Sequence, residues 1–212
     1  MYASVRQFFP VFSQRFEGRI PWMYLDIKGL VTVGIGNLID PIALALELPF
    51  RSRVTRAPAS KDDIAAEWLA VKATTSLARK GASAAERIAK LELSAAAIDE
   101  LVGRKLNEFY EIIKTKYFPE FDSYPADAQL AILSMAWAMG PYFPRTWPTF
   151  SRNVKDQNWV KAGNGCQMKE AGNPGVVARN AANKKLFFNA AVVKDRGSDP
   201  SVLLGATAHE KG

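Results

Sequence analysis

Phe16-Glu17-Gly18-Arg19-Ile20-Pro21-Trp22-Met23-Tyr24-Leu25-Asp26-Ile27-Lys28-Gly29-Leu30-Val31-Thr32-Val33-Gly34-Ile35-Gly36 changes character twice. Up to Phe16 the chain has helical spacing: Val5, Phe8, Phe9, Phe12 and Phe16 form one apolar stripe, so residues 2 to 16 read as a helix. Pro10 removes a backbone donor there, which a kink or a late helix start would accommodate. Gly18 and Pro21 stop the helix just after Glu17. From Trp22 the residues are β-formers around the turn Ile27-Lys28-Gly29, which predicts a hairpin. Alternation puts Leu30, Thr32 and Gly34 on one face and Val31, Val33 and Ile35 on the other. The valines and Ile35 are expected to pack inward, and Thr32 to look into a cleft.

Further along, residues 41 to 59 hold three prolines (Pro41, Pro49, Pro58) and three arginines (Arg51, Arg53, Arg56) and read as an irregular connection. Ser60-Lys61-Asp62-Asp63 opens a helix with a Ser cap and acids in its first turn. It is expected to run to about Lys80 and end at Gly81. Ser83-Ala84-Ala85-Glu86 has the form of a capping box and predicts a second start. A third helical stretch covers Ser94 to Tyr117, and Pro119 and Pro125 bracket a loop. Residues 126 to 139 are almost wholly apolar and end at Gly140-Pro141, the pattern of a buried central helix. Shorter helices are expected near 155–162 and 175–193, and the Gly-, Ser- and Pro-containing tail from Arg196 is expected to be mobile. The whole predicts an α+β fold, mostly α. Residues 1–59 form a small N-terminal αβ lobe, 60–81 an interlobe helix, and 82–195 a larger helical lobe on which helix 2–16 can pack, leaving 196–212 as a tail. Two lobes would leave a cleft for a long polymer.

Composition narrows the chemistry. With 212 residues, 48% hydrophobic and 23% charged, the chain is long enough for a proper core and is neither disordered nor fibrous. No apolar run could cross a bilayer, so stable membrane insertion is not expected. Met1-Tyr2-Ala3-Ser4-Val5-Arg6 is followed by no apolar core of a signal peptide, so the chain is expected to stay in the cytoplasm where it is made until something releases it. Cys166 is the sole cysteine and His209 the sole histidine, which disfavours a zinc site or a His-activated nucleophile. Acid–base chemistry must then come from carboxylates, with no metal and no cofactor. The net charge of +7 draws the protein to polyanions, among which nucleic acid, anionic lipid and bacterial wall all qualify.

Three polar residues near the start stand at the spacing E-x8-D-x5-T: Glu17, Asp26 and Thr32. A helix followed by a hairpin can bring them to one wall. Glycoside hydrolysis needs one carboxyl that holds a proton for the leaving oxygen and one that stays ionised to orient water. Glu17 ends a helix, where the dipole is negative and favours a neutral acid. Asp26 lies in a turn open to solvent, and the Thr32 hydroxyl can help hold a water beside it. Alone, this spacing reads equally well as surface charge plus a β-forming threonine.

The surrounding letters add specificity. Phe16-Glu17-Gly18, Tyr24-Leu25-Asp26 and Gly29-Leu30-Val31-Thr32-Val33-Gly34-Ile35-Gly36 strongly resemble the start of the phage-type lysozymes, which carry E-G, Y-x-D and G-x-x-T-x-G-x-G with the same E-x8-D-x5-T spacing. Ser60-Lys61-Asp62-Asp63 is similar to the start of that family's long interlobe helix, and Ala131 to Gly140 to its central helix. Trp159-x-x-Ala162 and Arg179-Asn180-x-x-Asn183-x-x-Leu186-Phe187 are similar to its last helices. The resemblance is dense at the N-terminus and loose after Gly81. It implies a two-lobed lysozyme-like fold and a monomeric muramidase that cuts the β-1,4 bond between N-acetylmuramic acid and N-acetylglucosamine of peptidoglycan, with inversion. A route to the wall through a holin would follow.

By the same resemblance Glu17 is the general acid, Asp26 positions the water, Thr32 assists, and Arg179 is the arginine that pairs with the glutamate. Tyr24, Gly36, Arg179 and Tyr142 are the expected substrate contacts. Gly36 allows close backbone approach, and Tyr142 leads an aromatic cluster (Phe143, Trp147, Phe150) that reads either as a sugar-stacking wall or as core. Lys184 and Lys185 with Arg179 suggest a basic face, or simply a solvated one. Asn180 and Asn183 depart from the family's usual Arg and Glu, and residues 82 to 118 add helix that small phage lysozymes lack. Two rival classes remain: a wall-binding or virion structural module without turnover, and a nucleic-acid binder that charge alone supports.

Overall fold

The computed structural model describes residues 1–171 and 175–204. The chain is mostly helical with small antiparallel sheets, and it divides into two compact units. One is the continuous stretch Glu17–Arg104; the other joins Met1–Phe16 to the chain from Lys105 onward.

The chain opens with α1 (Ala3–Glu17), which buries Val5, Phe9 and Phe12 from the expected stripe. Pro10 lies inside the helix, so a late start is not how it is tolerated. In the continuous unit, β1 (Ile20–Leu25), β2 (Val31–Gly34) and β3 (Asn37–Leu38) form a three-stranded antiparallel sheet in that order. The predicted hairpin is thus extended by a third strand. A short α2 (Ile42–Ala45) and β4 (Arg51–Ser52) follow. Next come α3 (Lys61–Ala73), α4 (Leu77–Lys80), α5 (Ala82–Glu86), β5 (Leu91–Glu92) and the first half of α6 (Ala95–Lys116).

Three sequence expectations change here. The helix opening at Ser60 has its capping box, with the Asp63 amide donating to Ser60 Oγ at 3.1 Å, but it stops at Ala73 instead of Lys80. Thr74-Thr75-Ser76 follow, and the Thr74 hydroxyl donates to Ala70 O at 2.8 Å; such side chains compete with the helical ladder. The next start is capped by Gly81, so Ser83 lies inside α5 and caps nothing. Residues 41 to 59 are not a mere connection. β4 pairs with β5 (Arg51 opposite Glu92), and Arg53 donates to the carbonyls of Glu86 and Ala89 while stacking 5.0 Å over Trp22.

The other unit is built around α7 (Ala126–Met139), whose residues 126 to 136 are all buried, as its apolar sequence predicts. Around it stand α8 (Pro148–Lys155), α9 (Trp159–Asn164) and the long α10 (Gly175–Arg196), which packs along α7. Aromatic edges lock the interior: Phe9 meets Trp137 at 5.0 Å, Tyr124 meets Trp159 at 5.1 Å, and Trp159 stacks on Phe187. Residues 197 to 204 are mostly exposed but are hydrogen-bonded back onto this unit. The Ala126 amide donates to Pro200 O at 2.7 Å, the Leu204 amide to Asp127 Oδ2 at 2.9 Å, and Leu203 is buried. The remainder of the expected mobile tail lies outside the described residues. Among the described residues no helix is long and apolar enough to cross a membrane.

Candidate active site

Glu17 is the last residue of α1, and Gly18 terminates the helix by taking φ +73°. β1 starts two residues later and runs antiparallel to β2, with Tyr24 directly opposite Thr32 and Leu25 opposite Val31. Opposed residues share a face of the sheet, so Tyr24 and Thr32 are cross-strand neighbours.

The loop between the strands is a three-residue hairpin turn. The Gly29 amide donates to Asp26 O and the Asp26 amide to Leu30 O, both at 2.9 Å, with Gly29 at φ +75°. The turn places two further amides on the Asp26 side chain. Lys28 N and Leu30 N donate to Asp26 Oδ1 at 2.8 and 2.9 Å. One carboxylate oxygen is therefore fixed by backbone, while Oδ2 has no protein hydrogen bond among the described residues. That arrangement suits a carboxylate that must hold one orientation and still face a mobile partner.

Gly36 meets Glu17 directly. A Cβ built at position 36 would lie 2.9 Å from Glu17 Oε2 and 3.0 Å from its Cδ, and the backbone there has φ +71°. Only glycine leaves the glutamate carboxyl its place. Tyr24 lies close enough to both acids to register their charge. Burial first, then the negative charges of Glu17 and Asp26, push its phenol well above the usual tyrosine range, so the hydroxyl stays protonated and available as a donor. Glu17, Tyr24, Asp26, Thr32 and Gly36 thus belong to one unit, with Glu17 and Gly36 beyond the Ile20–Gly34 end of the β1–β2 pair and Asp26 beyond its Leu25–Val31 end.

Thr32 corrects the sequence reading. It is 4% exposed, and its hydroxyl donates to Leu30 O at 3.2 Å. All residues of β2 are buried, because β2 is the central strand and is covered on both faces. The alternation that turned Val31 and Val33 inward therefore does not turn Thr32 outward.

Arg179 and Tyr142 belong to the other unit. Arg179 is 1% exposed; its guanidinium donates to Ser134 O at 3.0 Å and lies 4.8 Å over the ring of Phe16, the residue before Glu17. It is an internal group there and no part of an exposed basic face, whereas Lys184 and Lys185 are exposed. Tyr142 is exposed with Lys116 Nζ 5.1 Å from its ring, but Phe143 and Phe150 are buried, so that cluster is mainly core. Asn180 binds both Met168 backbone groups and Glu170 Oε1, tying the 168–170 segment to α10 in place of an ion pair within the helix.

Sequence reasoning missed Asp40 and Lys72. The Lys72 ammonium donates to Gly29 O at 2.9 Å and to Asp40 Oδ2 at 2.5 Å. That hydrogen bond, against some burial and aided by the Val31 amide, holds the Asp40 carboxyl below the usual range. No pattern marks such a pair, since its members lie on a helix and a strand end remote in sequence. Among the described residues no three His, Cys, Asp or Glu side chains gather as a metal site would require. Cys166 is buried, and burial pushes its thiol up to about 11, which keeps it unreactive. No protein-family model matches this chain, and no curated protein matches it.

Proposed function

We propose that the chain is a peptidoglycan hydrolase, a muramidase that cleaves the bond between N-acetylmuramic acid and N-acetylglucosamine with Glu17 and Asp26. The observations that support this reading are Gly36 set hard against the Glu17 carboxyl, Asp26 held through one oxygen by two turn amides, and Tyr24 within electrostatic reach of both acids. Glu17 donates its proton to the glycosidic oxygen as the C–O bond breaks. Positive charge develops on the sugar ring, and Asp26, anchored through Oδ1, orients a water through Oδ2 and accepts its proton as the water adds to the anomeric carbon. Tyr24 donates to a sugar oxygen between the two acids. Thr32, held within the strand, supports the sheet under Asp26 and shapes the water's site from below. The resemblance noted above implies inversion.

The test is a zymogram on purified peptidoglycan, with reducing ends counted, for wild type and Glu17→Gln. Wild type clears the wall and releases reducing ends. Glu17→Gln loses a proton donor worth about 10²–10⁴ in rate and clears nothing, while its circular dichroism is unchanged. A Glu17→Gln protein that clears the wall as wild type does refutes the assignment of the acid.

A further inference from the structure

α3 reaches the hairpin with two side chains one turn apart. Trp68 Nε1 donates to Ile39 O at 2.9 Å, beside the edge of the sheet. Lys72 lies with its ammonium 5.9 Å from the Trp68 ring and donates to Gly29 O and Asp40 Oδ2. Asp40 Oδ2 also accepts from the Val31 amide at 3.2 Å, so the ion pair is joined to β2. Gly29 is the left-handed residue of the turn whose amides grip Asp26 Oδ1. The tip of that turn is otherwise in solvent, with Ile27 75% exposed and Lys28 exposed. Lys72 is therefore what ties the tip to a helix among the described residues.

We propose that Lys72 is a positioning residue for Asp26. Its ammonium fixes the Gly29 carbonyl, the fixed turn holds the amides of Lys28 and Leu30, and those amides set the direction of the Asp26 carboxylate. This rests on the reading of Asp26 as the carboxylate that orients water. Asp40 serves the ammonium rather than the substrate: it neutralises Lys72 and keeps it from following the turn into solvent. A hydrocarbon side chain of similar length would keep the packing on Trp68 and lose the hold on the turn.

Lys72→Met and Lys72→Arg test this in two ways. The first readout is amide hydrogen exchange by NMR. In Lys72→Met, exchange at Lys28 and Leu30 accelerates about tenfold or more, while Val33 and Val102 in the same unit keep their rates. The second readout is hydrolysis of soluble peptidoglycan fragments. kcat falls about tenfold with KM held within about twofold, because the water and not the glycan is misplaced. Lys72→Arg, which keeps a charged donor, recovers most of both. Unchanged exchange at Lys28 and Leu30 in Lys72→Met overturns the proposal whatever the activity does, and so does faster exchange with unchanged kcat. Should Val33 and Val102 also accelerate, the variant has loosened the whole unit, and Lys72→Gln, with a neutral donor, is read by the same criteria. If wild type releases no fragments, the glycosidase reading fails, and the exchange experiment still decides whether Lys72 holds the turn.

Discussion

A methyl group at position 36 has nowhere to go. It would stand 2.9 Å from Glu17 Oε2, and the backbone at φ +71° is itself costly for any residue with a Cβ, by roughly 1–2 kcal/mol. Gly36→Ala is expected to lower the melting temperature modestly and, on the proposed reading of Glu17 as the proton donor, to lower wall hydrolysis severely, by about 10²-fold. Comparing melting curves with reducing-end release separates the two. A variant that loses stability and activity in step would mean that the glycine serves only the turn. Asp26 is constrained differently: backbone amides grip one of its oxygens, so its orientation is written into the turn and not into a neighbouring side chain.

At the scale of elements, α3 organises the continuous unit from one side. Its Glu67 is 8% exposed and accepts from the amides of Lys90 and Leu91 at 2.9 and 3.0 Å, which fastens β5 to the helix. Burial nonetheless outweighs those two amides and raises the carboxyl above its ordinary value of 4.5. The folded protein then holds this proton more tightly than the unfolded chain does. Glu67 contributes stability fully below the ordinary value, and the contribution disappears as pH rises through the raised one. Glu67→Gln keeps an oxygen for both amides and removes the titration. Its melting temperature is expected to gain on wild type as pH rises from below the ordinary value of 4.5 through the raised one, and a gap that stays constant with pH would contradict this. Glu67→Ala removes the acceptor of both amides and leaves the buried one, of Leu91, unpaired at about 1–3 kcal/mol.

Elements of this kind also mark the limits of sequence reading. α7 was legible because its residues are apolar on every side and end at a glycine, and the hairpin was legible from its β-formers and its turn. Strands of two residues, such as β4 and β5, are too short to have a period, so the second sheet left no trace. Thr32 was misplaced because alternation assumes one open face, and a central strand has none. Glu17, Tyr24, Asp26 and Gly36 were singled out by the surrounding letters that resemble the phage-type lysozymes, and the structure places all four in one continuous unit. Lys72 and Asp40 could not, since only tertiary packing brings a helix to a turn.

For the whole molecule, charge is unevenly shared. Residues 17–104 hold 12 Lys and Arg against 11 Asp and Glu, a net +1, while the rest of the chain holds 16 against 10, a net +6. The unit with the candidate catalytic residues is nearly neutral, so on the proposed function the attraction to an anionic wall would fall to the other. Binding to purified wall, measured by sedimentation, is expected to weaken as salt rises past the point where screening reaches about 8 Å. Lys184→Glu with Lys185→Glu should weaken it at low salt while leaving turnover on small soluble fragments unchanged. Binding indifferent to both salt and charge reversal would remove electrostatics from the account. The division of the chain also sets an order of events during synthesis. Phe9 has no exposed surface in the finished protein and leans on Trp137, which the ribosome has yet to make when α1 emerges. At roughly 5–20 residues per second, the greasy stripe of α1 waits about 6–26 s for its partner. Residues 17–104 form an unbroken segment that can fold meanwhile, so the apolar stripe of α1 stays uncovered while that unit is completed.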